Sequence, residues 1–156
     1  MRIRSEQEAL YVACRMEAAA IQLYTRALSV LQGQGRTGDP LYAHLTLTLA
    51  DEQEHLRRFS ALYTGLDAQQ ERQLELSAVA EGILFEGGLM GAAREGLLRD
   101  AQSMLTLAAR AEEASAAKYR AFAQAAQGPA RETLLTIARE EERHLAELRQ
   151  QGAEKR

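Results

Sequence analysis

The sequence predicts an all-α protein, four long helices set as two antiparallel hairpins and joined by one long crossover. Three observations carry this expectation. The chain has 156 residues, enough for one domain with a full core. Its composition leans to Ala, Leu, Glu, Arg and Gln, which are strong helix formers, and it holds only two prolines, three phenylalanines and no tryptophan. Apolar residues recur at helical spacing in four stretches punctuated by glycine and proline, and alternating β-branched runs are absent.

The first helix starts at a capping-box pattern, Ser5 followed by Glu8. Its stripe is Leu10, Ala13, Ala20, Tyr24, Ala27, Leu28 and Leu31, and Gly33, Gly35 and Gly38 end it. Asp39-Pro40 is a restart signal, with Asp as N-cap and Pro in the first turn. The second stripe runs Leu45, Thr48, Leu49, Leu56, Phe59, Leu62 and Tyr63, ending near Gly65. The third carries Leu97, Met104, Leu105, Ala108, Ser115, Tyr119, Phe122 and Ala126, and begins between Gly91 and Asp100. The fourth begins at Gly128-Pro129, runs through Leu134, Ile137, Ala138, Leu145 and Leu148, and closes at Gly152.

Helices of roughly 22–30 residues extend about 33–45 Å at the usual rise, which suits a bundle. Short loops make each pair an antiparallel hairpin. The segment from Leu66 to Gly96 is long enough to travel the length of the bundle. Its stretch Ala78–Met90 is too apolar for a free linker and is expected to pack on the bundle or on a second subunit, which points to a homodimer.

A net charge of −3, with arginine and glutamate mixed along every segment, reads as solvated helix surface and argues against nucleic-acid binding. Cys14 stands alone, so an internal disulfide and a Cys-x-x-Cys site are excluded, and it reads as a small buried hydrophobe. No apolar run approaches transmembrane length and the N-terminus has no apolar signal region, so a cytoplasmic protein is expected.

Each stripe is interrupted near its middle by residues foreign to a core. These are Glu17 in helix one, Glu52 and His55 in helix two, Glu112 in helix three, and Glu141 and His144 in helix four. Four buried carboxylates converging in one core need compensating charge, and two cations would supply it. Carboxylate oxygen with imidazole nitrogen is a ligand set for iron or manganese. In Glu52-x-x-His55 and Glu141-x-x-His144 the two side chains share one helical face. Dimetal carboxylate bundles draw one Glu from each of two helices and a Glu-x-x-His from each of the other two, and the pattern here matches.

An internal repeat strengthens the match. Glu17 precedes Tyr24 by seven residues, as Glu112 precedes Tyr119, so the two helix pairs carry one design twice. Tyr24 and Tyr119 either pack plainly or hydrogen-bond a ligand carboxylate, the reading adopted for both. Glu113 rivals Glu112, but its helical neighbours look solvent-facing. His44 falls off the stripe and reads as a surface residue, and Asp51, Glu54, Glu140 and Glu142 read as outer-face charges, any one of which could orient a ligand histidine.

These motifs resemble the rubrerythrin branch of the ferritin-like superfamily over most of the chain, most closely in Leu105–Phe122 and Ile137–Leu148. The resemblance implies a ferritin-like four-helix bundle over residues 1–156 and a non-haem centre of two Fe ions. Glu52 and Glu141 would bridge, Glu17 and Glu112 would be terminal ligands, and one histidine would serve each iron. It further implies two-electron reduction of hydrogen peroxide, or oxidation of ferrous iron by oxygen. Two departures stand out. Rubrerythrins proper carry a rubredoxin domain with paired Cys-x-x-Cys motifs, absent here, so a separate electron donor such as a rubredoxin-type protein is expected. They also carry a further glutamate one turn from the first on helix three, where this chain has Ala109 and Ser115; Glu81 or Glu86 in the crossover could substitute.

The leading expectation is therefore an oxidoreductase with a carboxylate-bridged metal pair that reacts with hydrogen peroxide or oxygen. The alternatives are a ferroxidase or iron-handling protein, a dimanganese catalase, a di-iron hydroxylase, and a metal-free helical interaction module.

Overall fold

The structure, a computed structural model, describes residues 1–84 and 99–152, and no strand occurs among them. α1 spans Glu6–Gly33, α2 Pro40–Leu62, α3 Ala68–Ala80, α4 Ala101–Phe122 and α5 Gly128–Gln150, with a 3-10 turn at Ala123–Ala125.

Side chains fix where the helices begin. Ser5 Oγ accepts the Glu8 amide at 3.1 Å, while the Glu8 carboxylate takes the Arg4 amide at 2.7 Å. The second half of the capping box is thus displaced by one residue. Asp39 caps α2 through the Leu41 amide, and Asp100 caps α4 through the Ser103 amide at 2.7 Å. That cap places the start of the third bundle helix at the late limit of the expected range. α3 has its own reciprocal capping box, Asp67 with Gln70, a helix start within the crossover that the sequence reading passed over.

Contacts between helices give their directions. Gln7 near the start of α1 donates to Leu62 O at the end of α2, and Gln32 meets Tyr42 at the opposite end. Glu113 and Arg149, then Arg120 and Glu142, pair α4 with α5 in reverse order. α1 also packs on α4, and α2 on α5. Tyr24 reaches Glu112 while Tyr119 reaches Glu17, so α1 and α4 oppose each other as well. It follows that α2 and α4 point the same way.

The core is divided. At one end Leu10, Ala13, Phe59, Tyr119, Phe122, Leu134 and Ile137 pack together. At the other, Leu23, Leu31, Leu41, Leu45, Met104, Leu105 and Leu148 do so. Each fully buried Leu, Ile or Phe contributes about 1.5–3 kcal/mol, so these two aliphatic and aromatic plugs hold the helices together. Leu74, Ala78 and Leu84 join the first plug, so this part of the crossover packs on the bundle. Residues 85–90 of the apolar stretch, Glu86 included, lie outside the described residues. Gly82 takes a φ of 74°, a left-handed turn open to glycine, where the chain leaves α3. Glu81 pairs with the Met1 amino group. Cys14 is half-buried, its Sγ 3.8 Å from Ser60 Oγ. No helix among the described residues is long and apolar enough to cross a membrane.

Candidate metal centre

Between the two plugs lie Glu17, Glu52, His55, Glu112, Glu141 and His144, each at most 2% exposed. Glu17 sits in mid-α1, Glu112 in mid-α4, and the two Glu-x-x-His pairs in α2 and α5. Helical periodicity puts them inward, because each continues the apolar stripe of its own helix. Glu113, one residue from Glu112, is 66% exposed and faces Arg149.

The six form two overlapping sets. Glu17, Glu52, His55 and Glu141 can each offer a ligand atom within 4.8 Å of the others, and so can Glu52, Glu112, Glu141 and His144. Glu52 and Glu141 belong to both. His55 Nδ1 lies 2.8 Å from Glu141 and 3.5 Å from Glu17 and from Glu52. His144 Nδ1 lies 3.1 Å from Glu52, 3.5 Å from Glu112 and 3.9 Å from Glu141.

These short separations do not form a satisfied network. Eight buried side-chain polar atoms lack a hydrogen-bond partner among the described residues, and seven belong to these six side chains. They include one oxygen of each glutamate and the Nδ1 of each histidine. An unpaired buried polar atom costs about 1–3 kcal/mol, so seven in one place call for something that satisfies them together. The donor set, carboxylate oxygens with two imidazole nitrogens, is one that a metal ion accepts. The buried cluster could hold a metal ion.

Without such an ion, protons carry the balance. Burial opposes charge on His55, yet Glu17 and Glu52 beside it hold its pKa up at about 10. Burial likewise opposes charge on His144, which Glu112 and Glu52 hold at about 11. Burial, then the charge of Glu52, pushes Glu17 well above the usual carboxylate range. Burial, then the charges of Glu112, Glu17 and Glu52, does the same to Glu141. Burial works against Glu52 too, but the nearby imidazoles of His144 and His55 outweigh it and hold its pKa below the usual range.

The tyrosines cross between the halves. Tyr24 of α1 donates to Glu112 Oε1 at 2.5 Å, and Tyr119 of α4 donates to Glu17 Oε1 at 2.9 Å. Both are fully buried, and burial and then the neighbouring carboxylate charge raise both phenols above their ordinary value. Each hydroxyl therefore stays protonated and fixes one oxygen of a glutamate, leaving the other free toward the cluster.

Two contacts depart from the surface role read for acidic residues. Asp51 Oδ2 hydrogen-bonds His144 Nε2 at 3.0 Å and also takes Arg143 at 3.1 Å. Glu140 Oε2 lies 3.3 Å from His55 Nε2 and 3.4 Å from Arg58. The Asp51 carboxylate on His144 Nε2 fixes the tautomer that leaves Nδ1 free to coordinate, while Glu140 lies beside His55 Nε2 without an aligned hydrogen bond. Each is the residue just before the glutamate of a Glu-x-x-His, at the edge of its helix's stripe, and meets a histidine of the other helix across the α2–α5 seam. His44 is not a plain surface residue either. Its side chain is 13% exposed, with Nδ1 3.7 Å from Glu147.

No family model, curated protein or solved structure matches this chain. Its class therefore rests on what the fold and site define, a helical bundle with a buried carboxylate–imidazole cluster fit for a metal.

Proposed function

We propose that this chain is a rubrerythrin-like, ferritin-like dimetal protein that holds two iron ions and reduces hydrogen peroxide. The observation that carries the reading is the pair of overlapping ligand sets sharing Glu52 and Glu141. Two sets with two members in common suit adjacent ions bridged by carboxylates. In this assignment Glu17 and His55 serve one ion, Glu112 and His144 the other. When bound and reduced, the pair supplies two electrons, and two protons complete the conversion of one hydrogen peroxide to two waters.

The chain's own residues do the rest. Tyr24 and Tyr119 hold the terminal carboxylates in orientation through Oε1. Asp51 orients the His144 imidazole, Glu140 places a negative charge beside that of His55, and both lie on the half-exposed α2–α5 seam. The two apolar plugs exclude water from both ends, which strengthens every charge interaction at the centre. A separate protein electron donor would regenerate the reduced state.

The test is metal content per chain after growth in iron and in manganese, with the visible spectrum before and after peroxide. About two irons, with an oxo-bridged ferric band that bleaches on reduction and returns with peroxide, is the result expected. Two manganese ions would move the assignment to a catalase. Iron retained well beyond two per chain, with rapid aerobic ferrous oxidation, would move it to iron handling. No metal after careful loading would overturn it.

A further inference from the structure

The six side chains of the cluster are at most 2% exposed, so an ion must cross a wall of the bundle to reach them. Aliphatic and aromatic plugs close both ends, where a cation would lose its hydration and gain no ligand. On the α1–α4 seam, Arg110 and no carboxylate stands among the described residues that line the surface groove, and its charge repels a cation. α2 and α5 pack on each other less extensively than α1 on α2 or α4 on α5, and carboxylates on their seam reach from solvent to both ligand histidines. The two halves of that seam differ. On the His144 side Nε2 has its aligned bond to Asp51, and Arg143 is held between Asp51 at 3.1 Å and Glu147 at 3.6 Å. On the His55 side Nε2 is buried without a hydrogen-bond partner, 3.3 Å from Glu140 Oε2, and Arg58 covers that oxygen from 3.4 Å. The sequence accounts for the difference, because the residue three after the ligand histidine is Arg58 in α2 but Glu147 in α5. The Glu140 and Arg58 side chains are 35% and 30% exposed, so solvent ions reach them.

We infer that divalent cations enter the cluster through the His55 half of the α2–α5 seam, with Glu140 Oε2 and His55 Nε2 as the first protein ligands they meet and Arg58 as the side chain that gives way. Entry by this route rests on the dimetal reading and names how its metal arrives. Two ligand atoms each about 2.1 Å from one ion stand about 3.0–3.4 Å apart, and the 3.3 Å between Glu140 Oε2 and His55 Nε2 falls in that range. Arg58 is displaced readily, because an exposed ion pair is weakly held. The His55 ring itself spans the wall. Its Nε2 faces Glu140 at the seam, while its Nδ1 faces Glu17, Glu52 and Glu141 inside. A cation on the outer edge of the ring is thus one imidazole away from the inner set.

Stopped-flow loading of the metal-free full chain with cobalt(II), followed by its visible ligand-field absorption at low ionic strength, tests the route. Glu140→Gln should slow the bimolecular step at least about tenfold, and Arg58→Gln should speed it at least about threefold, both effects shrinking as salt is added. At saturating cobalt both variants should reach the cobalt content of the unchanged protein, which separates rate from capacity. Arg143→Gln and Arg110→Gln should stay within about twofold. Acceleration by Arg110→Gln equal to that by Arg58→Gln would place entry on the α1–α4 seam, and equal acceleration by Arg143→Gln would place it on the His144 half; either result overturns the inference. Cobalt taken up at rates indifferent to Glu140 and Arg58 overturns the route alone and leaves the dimetal reading standing. If the unchanged protein takes up no cobalt, the dimetal reading fails and the route fails with it.

Discussion

The two halves of the cluster carry the same ligands in different surroundings. Glu17 with His55 lies against an aromatic end, where Tyr119 meets Phe59 edge-on at 5.2 Å and Phe122 at 6.4 Å. Glu112 with His144 lies against an aliphatic end of Leu23, Leu31, Leu41, Leu45 and Leu148. His144 has an aligned hydrogen bond to Asp51, whereas His55 sits near Glu140 without one. The positions alike in both halves are those that touch the charged centre. Packing outside it needs only volume and hydrophobicity, which many side chains supply equally well.

The strongest way to break the comparison is to remove a shared ligand. Glu52→Gln or Glu141→Gln should leave less than about one metal per chain, since either belongs to both sets. Glu17→Gln and Glu112→Gln should each leave about one, on opposite sides. Elemental analysis of the four variants decides this. Equal loss in all four would show that the halves are one indivisible site.

A second test concerns pH in the metal-free protein. His55 and His144 have folded pKa values raised to about 10 and about 11. Their stabilisation is complete below the unfolded value of about 6.5 and is lost as pH rises through those folded values. Glu17 and Glu141 act in the same direction, because a raised carboxyl pKa costs stability once pH passes the ordinary carboxylate range. Glu52 acts oppositely: its depressed pKa stabilises above about 4.5, and this is lost toward acid. Urea midpoints should therefore peak in mildly acidic solution and fall toward alkaline pH. Imidazole NMR should show both histidines titrating well above the ordinary imidazole value. Loading metal at neutral pH should release protons, measurable in weakly buffered solution with an indicator. A flat profile with no proton release would remove the charged-histidine account.

How much of this was legible beforehand follows from which signals are local. Glu17, Glu52 and Glu141 could be picked out because each breaks a periodic apolar stripe, and periodicity is carried by the sequence itself. Asp39-Pro40 announces a helix start through its residue types alone, whereas the start of the third bundle helix was legible only as lying between Gly91 and Asp100. Asp51 and Glu140 were read as outer charges because their partners, His144 and His55, are on another helix. One helix alone does not show whether a residue beside its stripe meets solvent or a neighbour. His44 was misjudged on the same ground, since Glu147 covers it from α5. α3 was lost in the crossover because its weak stripe, Leu74 and Ala78, offers little period to read.

The outer carboxylates give a smaller effect. Asp51→Asn and Glu140→Gln keep shape but lose the charge that supports the imidazole, and such changes cost about 10–100-fold in metal affinity. Asp51→Asn should fall nearer the upper figure, because its bond to His144 is aligned at 3.0 Å, while Glu140 is misaligned at 3.3 Å. Competition titration with a chromophoric chelator would measure both. A larger loss in Glu140→Gln would reverse the ranking of the halves.

The smallest effect is expected from the tyrosines, and it isolates a single hydroxyl in each half. Phenylalanine keeps the ring, so Tyr119→Phe preserves the packing on Phe59 and Phe122 and removes only the bond to Glu17. That bond, 2.9 Å long, is worth about 0.5–1.5 kcal/mol as an ordinary hydrogen bond. Tyr24→Phe removes a 2.5 Å contact to Glu112, short enough to belong with the stronger class, and should cost about 1.5–3 kcal/mol in the metal-free protein. Metal loading should shrink both costs, since a coordinated carboxylate depends less on its tyrosine. Urea denaturation of the two variants, with and without metal, measures the difference between the halves directly. If Tyr119→Phe proved the more destabilising in the metal-free protein, the aromatic end rather than the hydroxyl would be what distinguishes them.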